Sequence, residues 1–157
     1  MNYVKELLAN QVLIAALSGW MVAQIAKTII YFIVNKSFRA ERMIGDGGMP
    51  SCHSATVCGL ATAVAFTEGL SSTMFGVAAF FAIIVMHDAM GVRLETGKQA
   101  KVINDILQEF RERGMAIKFM SPEERLKEFV GHTGIQVFVG AIIGIIVATV
   151  EWLLIYR

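Results

Sequence analysis

The part of the sequence that most restricts the fold is an almost uninterrupted apolar run from about Thr133 to about Ile155. It carries one charged residue, Glu151, and reaches the roughly 20 residues that an α-helix needs to cross a bilayer. Three earlier stretches approach that length: residues 11–34, 54–70 and 72–92. The two middle stretches alone would also suit a buried helical pair of a soluble protein, but the long final run argues against this. The sequence therefore predicts an all-α, polytopic membrane helical bundle of about four transmembrane helices, with residues 1–157 as one domain.

The composition agrees with a membrane protein and excludes several classes of function. Charged residues make up 17% of the chain, whereas a soluble domain has about 25%. A net charge of +1 gives no basic surface for nucleic acid. Cys52 and Cys58 are too few for a disulfide framework or a zinc site. Residues 1–10 lack the basic start and cleavage site of a signal peptide, so we expect the first apolar run to be retained.

Small residues recur in these runs at the spacing of helix–helix contacts. The pairs are Ala15 with Gly19, Gly59 with Ala63, and Gly140 with Gly144. Lipid provides no hydrophobic drive between helices, so association depends on small side chains that let backbones approach. Small residues are also simply abundant in membrane spans. We therefore expect a compact bundle, and whether it forms a homodimer stays open.

The basic residues predict the orientation in the membrane. Eleven lie in the two long segments that separate the first run from the second and the third from the fourth: Lys36, Arg39, Arg42, Arg93, Lys98, Lys101, Arg111, Arg113, Lys118, Arg125 and Lys127. The opposite side has only Lys5 and Arg157. Basic residues accumulate in cytoplasmic loops, so we expect an integral cell-membrane protein whose long loops and active site face the cytoplasm.

The polar segment between the third and fourth runs predicts one or two cytoplasmic amphipathic helices. Apolar residues recur there at helical spacing between charges: Val102, Ile103, Ile106, Leu107 and Phe110. This pattern is typical of a helix on the membrane surface or across the mouth of a bundle, and Gly114 should end it. Ser121, Pro122 and Glu124 then have the order of a helix start, which predicts a short helix before Gly131.

A turn that leads into a helix start is the first candidate for chemistry. Residues 47–50 disfavour helix and strand, and Ser51 to Ser54 lead directly into the second apolar run. The first turn of such a helix has unpaired N–H groups and the positive end of the helix dipole, which attract anions. His53 could exchange protons there near neutral pH, which suits phosphate ester chemistry. The other interpretation is an ordinary capped helix with its histidine in a polar loop.

Further polar residues are expected at the same depth. Lys27 lies inside the first run, where a charge costs about 3 kcal/mol, so it should face a partner in the interior or else extend to the interface. The predicted topology brings six side chains to cytoplasmic helix ends: Lys27, Ser51, His53, Asp88, Arg93 and His132. Together they would bind an anion and supply acid and nucleophile roles.

Three blocks of sequence carry a resemblance to a known family. They are GGMPSCHSA at 47–55, DAMGVR at 88–93 with Gln99 and Ala100 after it, and LKEFVGHT at 126–133. In this order they resemble the divergent branch of the type 2 phosphatidic acid phosphatase family, which is related to acid phosphatases and vanadium-dependent haloperoxidases. The resemblance covers nearly the whole chain and implies a membrane-embedded phosphatase-like domain.

The resemblance implies roles for individual residues. Ser51 would bind phosphate, His53 would protonate the leaving oxygen, and His132 would be the nucleophile that forms a phosphohistidine. Lys27 is similar to a phosphate-binding lysine of the first mainstream motif. Gln136 stands where the mainstream family has an aspartate that fixes the histidine tautomer and stabilises its imidazolium.

The chain departs from the mainstream motifs KxxxxxxRP, PSGH and SRxxxxxHxxxD at several positions. Val34 and Leu126 stand where two arginines are usual, and Cys52 stands where glycine is usual. The candidate replacements are Arg39 or Arg42 for the first arginine and Lys127 or Arg93 for the second. Gln136 offers a carbonyl oxygen but no charge, which Asp88 could supply from the third span.

These residues imply a metal-independent phosphatase, with no cofactor, acting on a phosphomonoester of a membrane lipid. Phosphatidylglycerophosphate and phosphatidic acid fit the inferred orientation, and an isoprenoid phosphate stays open. The competing hypothesis is a non-enzymatic membrane protein that binds anionic lipid headgroups. The missing arginines and Gln136 favour the binding protein, whereas the two histidines His53 and His132 favour an enzyme.

Overall fold

The computed structural model describes residues 2–36, 47–114, 126, 128 and 131–156. Within these ranges the chain is helical or irregular and forms no β-strand, so the all-α prediction is confirmed. The helices are α1 (Tyr3–Leu8), α2 (Gln11–Asn35), α3 (Cys52–Glu68), α4 (Thr73–Met90), α5 (Val92–Glu112) and α6 (Gly134–Glu151), and a π-helical turn at Trp152–Tyr156 continues α6.

In the described part of the chain, three segments are long and apolar enough to cross a membrane: Gln11–Asn35, Thr73–Glu112 and Gly134–Ile155. They contain α2, α4 and α6, the first, third and fourth predicted spans. The second predicted span forms α3, which has only 17 residues and a polar first turn. Because α3 packs against α2, α4 and α6, it lies among helices and needs fewer large apolar side chains of its own.

Short polar side chains begin the helices close to the predicted positions. The Asn10 side chain accepts a hydrogen bond from the Leu13 N–H group (3.0 Å) at the start of α2. Ser72 does the same for the Phe75 N–H group (3.1 Å) at the start of α4. These contacts satisfy N–H groups that an α-helix leaves unpaired at its first turn.

The centre of the bundle consists of small residues that bring helix backbones together. A Cβ atom on Gly19 of α2 would lie 2.8 Å from the Ala55 carbonyl oxygen of α3. One on Gly59 of α3 would lie 2.9 Å from the Ala15 carbonyl oxygen, and one on Gly144 of α6 would overlap the Ala55 backbone. The predicted small-residue pairs are therefore contact points between α2, α3 and α6.

The amphipathic helix predicted after the third span is confirmed as α5. Five of its apolar side chains are exposed: Val92, Val102, Ile103, Ile106 and Phe110. Gly97, Ala100 and Asn104 are buried on another face of the helix. The short helix predicted from Ser121 lies outside the described residues.

Candidate active site

The start of α3 is fixed by its own serines and by α6. The Ser51 hydroxyl oxygen accepts hydrogen bonds from the Ser54 N–H group (3.3 Å) and the Ser54 hydroxyl (3.1 Å), and both residues are fully buried. The Ser51 N–H group donates to the Gln136 carbonyl (3.0 Å). A Cβ atom on Gly140 would overlap the Ser51 carbonyl, so glycine allows α6 to pass this turn.

His132 lies just before α6 and is held by backbone groups from two other parts of the chain. Only 1% of its surface is exposed. Its backbone N–H group donates to the Ala89 carbonyl of α4 (2.9 Å), and its ring Nδ1 lies 3.2 Å from the Gly48 carbonyl oxygen. A carbonyl only accepts hydrogen bonds, so Nδ1 carries the proton in this contact and a neutral ring keeps its lone pair on Nε2.

The surroundings of His132 favour that neutral ring. Burial lowers the pKa of His132 below its ordinary value, and the nearby His53 lowers it further, while the neighbouring Gln136 side chain and Gly48 carbonyl act in the opposite direction. Nε2 is buried and has no hydrogen-bond partner within the described residues. A buried nitrogen with a lone pair and no partner is suited to nucleophilic attack.

His53 faces His132 from the first turn of α3. The two ring centroids are 5.7 Å apart and the ring planes meet at 64°. Because α3 begins at Cys52, His53 lies in the helix beside its N-terminus, and not in the polar loop of the other interpretation. The two histidines that the sequence separates by 79 positions come together here, as acid and nucleophile roles would require.

Lys27 points into the bundle instead of extending to the interface. It is 3% exposed, and its Nζ atom lies 2.8 Å from the Sγ atom of Cys52. The same Sγ atom is 2.8 Å from Oε1 of Gln24. The Lys27 stem passes close to Gly48, so the lysine, the start of α3 and the turn that contacts His132 form one cluster.

Asp88 and Arg93 form an ion pair at the junction of α4 and α5. Arg93 Nε lies 3.0 Å from Asp88 Oδ2, and both side chains are more than 40% exposed. The Gln136 side-chain carbonyl accepts the Thr133 N–H group (3.0 Å) in the capping box of α6. The backbone carbonyl of Gly48, and not a carboxylate, contacts Nδ1 of His132.

An amphipathic cavity opens beside this cluster between α2, α3 and α4. It has a volume of about 510 Å³, with His53, Asp88 and Arg93 among its polar lining residues and Trp20, Phe81 and Ile84 among its apolar ones. Phe81 also lines a second cavity of about 630 Å³ that reaches Asn10. Apolar surface therefore continues along α3 from the polar cluster towards the other end of the bundle. A ligand with a polar head and an apolar tail would match this arrangement of polar and apolar lining residues.

Sequence comparison identifies the family. The model of the divergent PAP2 family matches residues 8–147. The chain belongs to the divergent PAP2 family. It is also 40% identical, over 151 residues, to the uncharacterized membrane protein YuiD of Bacillus subtilis (strain 168), covering 92% of this chain and 96% of that protein. No solved structure matches the chain.

Several predicted site residues of this PAP2-family membrane protein lie outside the described part of the chain. These are the candidate phosphate ligands Lys127, Arg39 and Arg42. Within the described ranges, no three His, Cys, Asp or Glu residues form a group that could hold a metal ion.

Sequence reasoning missed three participants in the divergent PAP2 cluster. Gln24 and Cys52 contact each other, and Cys52 contacts Lys27. A signal for Gln24 was present, because a polar residue one helical turn before an intramembrane lysine shares its face. The Gly48 carbonyl gave no signal, since a backbone group 84 positions from His132 leaves no trace in side-chain patterns.

Proposed function

We propose that this PAP2-family protein is an integral membrane lipid phosphate phosphatase that works through a phosphohistidine on His132. The observation that carries the proposal is the arrangement of Nε2 of His132, which holds a lone pair and has no described partner, beside His53 at the N-terminus of α3. Lys27 and the first-turn amides of α3 would bind the phosphoryl oxygens, together with Arg93 and Lys127.

The proposed reaction has two steps. In the first, Nε2 of His132 attacks phosphorus, the phosphorus–oxygen ester bond breaks, and His53 donates a proton to the leaving alkoxide oxygen. In the second, His53 takes a proton from water, the water oxygen attacks phosphorus, the phosphorus–nitrogen bond breaks, and phosphate leaves. The cations around the phosphoryl group would stabilise its charge in both steps, so the scheme requires no metal ion.

The cavity between α2, α3 and α4 supports a lipid substrate. Its polar end is lined by His53 and Arg93, and its apolar end by Phe81 and Ile84. A phosphomonoester of the phosphatidylglycerophosphate or phosphatidic acid type would place its headgroup near His53 and a chain along α3. Assays should compare these two lipids with an isoprenoid phosphate.

We place the active site on the cytoplasmic side, as the basic loops favour. A cysteine introduced at Lys36 should then react with an impermeant thiol reagent only after the membrane is opened. Cys52 and Cys58 are buried and should contribute little labelling of their own. Labelling of the introduced cysteine in intact cells would reverse the orientation.

The second candidate is a protein that binds anionic lipid headgroups without hydrolysing them. Two contacts favour it: Asp88 already balances the charge of Arg93, and Lys27 is engaged with Cys52. Gln136, which carries no charge, also supports it.

Phosphate release by the purified protein distinguishes the two candidates. The assay uses full-length protein in detergent with a chelator, each lipid phosphate in turn, and His87→Ala as the matched control. We expect release by the parent and by His87→Ala, and its loss in His132→Ala. Headgroup binding without release in any lipid would favour the second candidate.

A further inference from the structure

Asn104 is a buried polar residue to which the reaction gives no direct role. It lies on α5 and is 5% exposed. Its side-chain nitrogen donates to the Leu126 carbonyl (3.0 Å) and to Oε1 of Glu128 (2.8 Å), and its side-chain oxygen accepts the Leu126 N–H group (3.0 Å). Asn104 therefore satisfies both backbone polar groups of Leu126, as a neighbouring β-strand would.

The residues that Asn104 holds precede His132 by only a few positions. Leu126 lies outside α5 and contacts Asn104, which is in the second half of that helix. Gly131 lies against the backbone of Arg93 and Leu94, in the first turn of α5. A Cβ atom on Gly131 would lie 2.6 Å from the Arg93 carbonyl carbon. The Leu126 contact thus lies in the second half of α5 and the Gly131 contact at its first turn.

The next residue is the proposed nucleophile. His132 donates its N–H group to the Ala89 carbonyl at the end of α4, and its ring meets the Gly48 carbonyl. The Gly131 contact requires glycine, whereas the His132 N–H contact joins two backbone groups that many sequences could supply. The contact at Asn104 depends on one side chain with a donor and an acceptor in a fixed arrangement.

We propose that Asn104 is a positioning residue that keeps the His132 ring on the Gly48 carbonyl. The inference rests on the proposed role of His132 as nucleophile. Loss of the Asn104 contacts would leave the Leu126 N–H and carbonyl groups unpaired. The backbone that leads to His132 would then lose its attachment to α5 at Leu126. A displacement of about 1 Å at a reacting group can cost about 100-fold in rate.

Kinetics test the proposal in the full-length protein. Asn104→Ala removes all three hydrogen bonds, and Asn104→Asp keeps the acceptor for the Leu126 N–H group but removes the donor. Gln108→Ala is the matched control, because it removes an exposed amide from α5 one helical turn later. We expect kcat to fall about 10- to 100-fold in Asn104→Ala and at least as far in Asn104→Asp, which places a second carboxylate against Glu128. KM should change less than about threefold in both variants. An unchanged kcat, or a rise in KM alone, would overturn the assignment.

Histidine NMR provides a test that does not need turnover. The chain has three histidines, so ¹⁵N-histidine labelling and a His132→Ala spectrum identify the His132 signals. We expect the Nδ1–H tautomer in the parent and a mixed tautomer in Asn104→Ala, with the His87 signals unchanged. Unchanged His132 signals in folded Asn104→Ala and Asn104→Asp would refute the positioning role. Changed signals in a protein with no phosphatase activity would uphold the positioning role and refute the proposed function instead.

Discussion

The contact between α3 and α6 is built in two different ways along its length. In the middle of the bundle Gly59 and Gly144 allow backbones to touch, and the buried side chains of Ala63 and Ala148 near them are small. At the polar end the same two helices are joined by hydrogen bonds: the Ser51 N–H group donates to the Gln136 carbonyl, and His132 lies between them and the Gly48 turn.

The difference separates stability from chemistry. The glycine contacts should tolerate no added volume, because any larger side chain forces two backbones apart. The polar end should tolerate the loss of a functional side chain, because backbone hydrogen bonds keep the helices in place. Added volume at the contact glycines should therefore affect the fold, and loss of a functional side chain at the polar end should mainly affect activity.

The largest expected effect is at Gly144, where a leucine would enter the Ala55 backbone. We expect Gly144→Leu to lose at least about 3 kcal/mol of stability and most of the folded protein. Gly76→Leu is the matched control, since a Cβ atom there meets nothing within 4 Å in the described chain. Thermal unfolding in detergent measures both. If the two variants melt together, the glycine contacts do not hold the bundle.

The next largest effect is at the polar end, where removal of His53 should lower the turnover rate and leave the fold intact. His53→Ala should lose about 10²–10⁴-fold in turnover of a lipid phosphate, the usual value of a positioned acid, while its melting temperature stays near that of the parent. The loss in the first step should be much smaller with a nitrophenyl phosphate, whose leaving group departs without a proton. An equal loss in the rate of the first step with both substrates would contradict the acid role.

How far the sequence predicts this molecule also differs between the two regions. The helices begin and end within about two residues of the predicted spans, because long apolar runs and short polar caps are local signals; the fourth span is the one that ends earlier, passing into the π-helical turn after Glu151. The small-residue pairs were equally visible. By contrast, Lys27 contacts a cysteine and His132 contacts a backbone carbonyl, and the spacing of residues in the sequence predicts neither contact.

Anion binding at Lys27 should give a smaller effect on stability. Vanadate or phosphate should protect the parent thermally, by about 2.7 kcal/mol at 100 times Kd, and Lys27→Met should remove that protection. Lys98→Met is the control, because Lys98 is an exposed lysine paired with Glu95 on α5. Equal protection of Lys27→Met and the parent would show that Lys27 is not a ligand.

The smallest expected effect is the pH dependence of stability at His132. Burial lowers the pKa of His132 below its ordinary value of 6.5, so the unfolded chain binds the proton more readily than the folded one. This contribution to stability is complete above pH 6.5 and is lost as the pH falls towards the lower folded-state pKa. The melting temperature should therefore fall more steeply between pH 7.5 and pH 5 for the parent than for His132→Gln. Equal slopes would contradict the buried, neutral ring.

The central claim is that His132 forms a covalent bond to phosphorus, and rapid quench with labelled substrate tests it most directly. The parent should yield an acid-labile phosphoprotein within one turnover, and His132→Ala should yield none while it keeps the fold of the parent. His53→Ala with a labelled nitrophenyl phosphate should accumulate the phosphoprotein, because the second step then lacks its base. Label retained on His132→Ala, or parental turnover by that variant, would contradict the account.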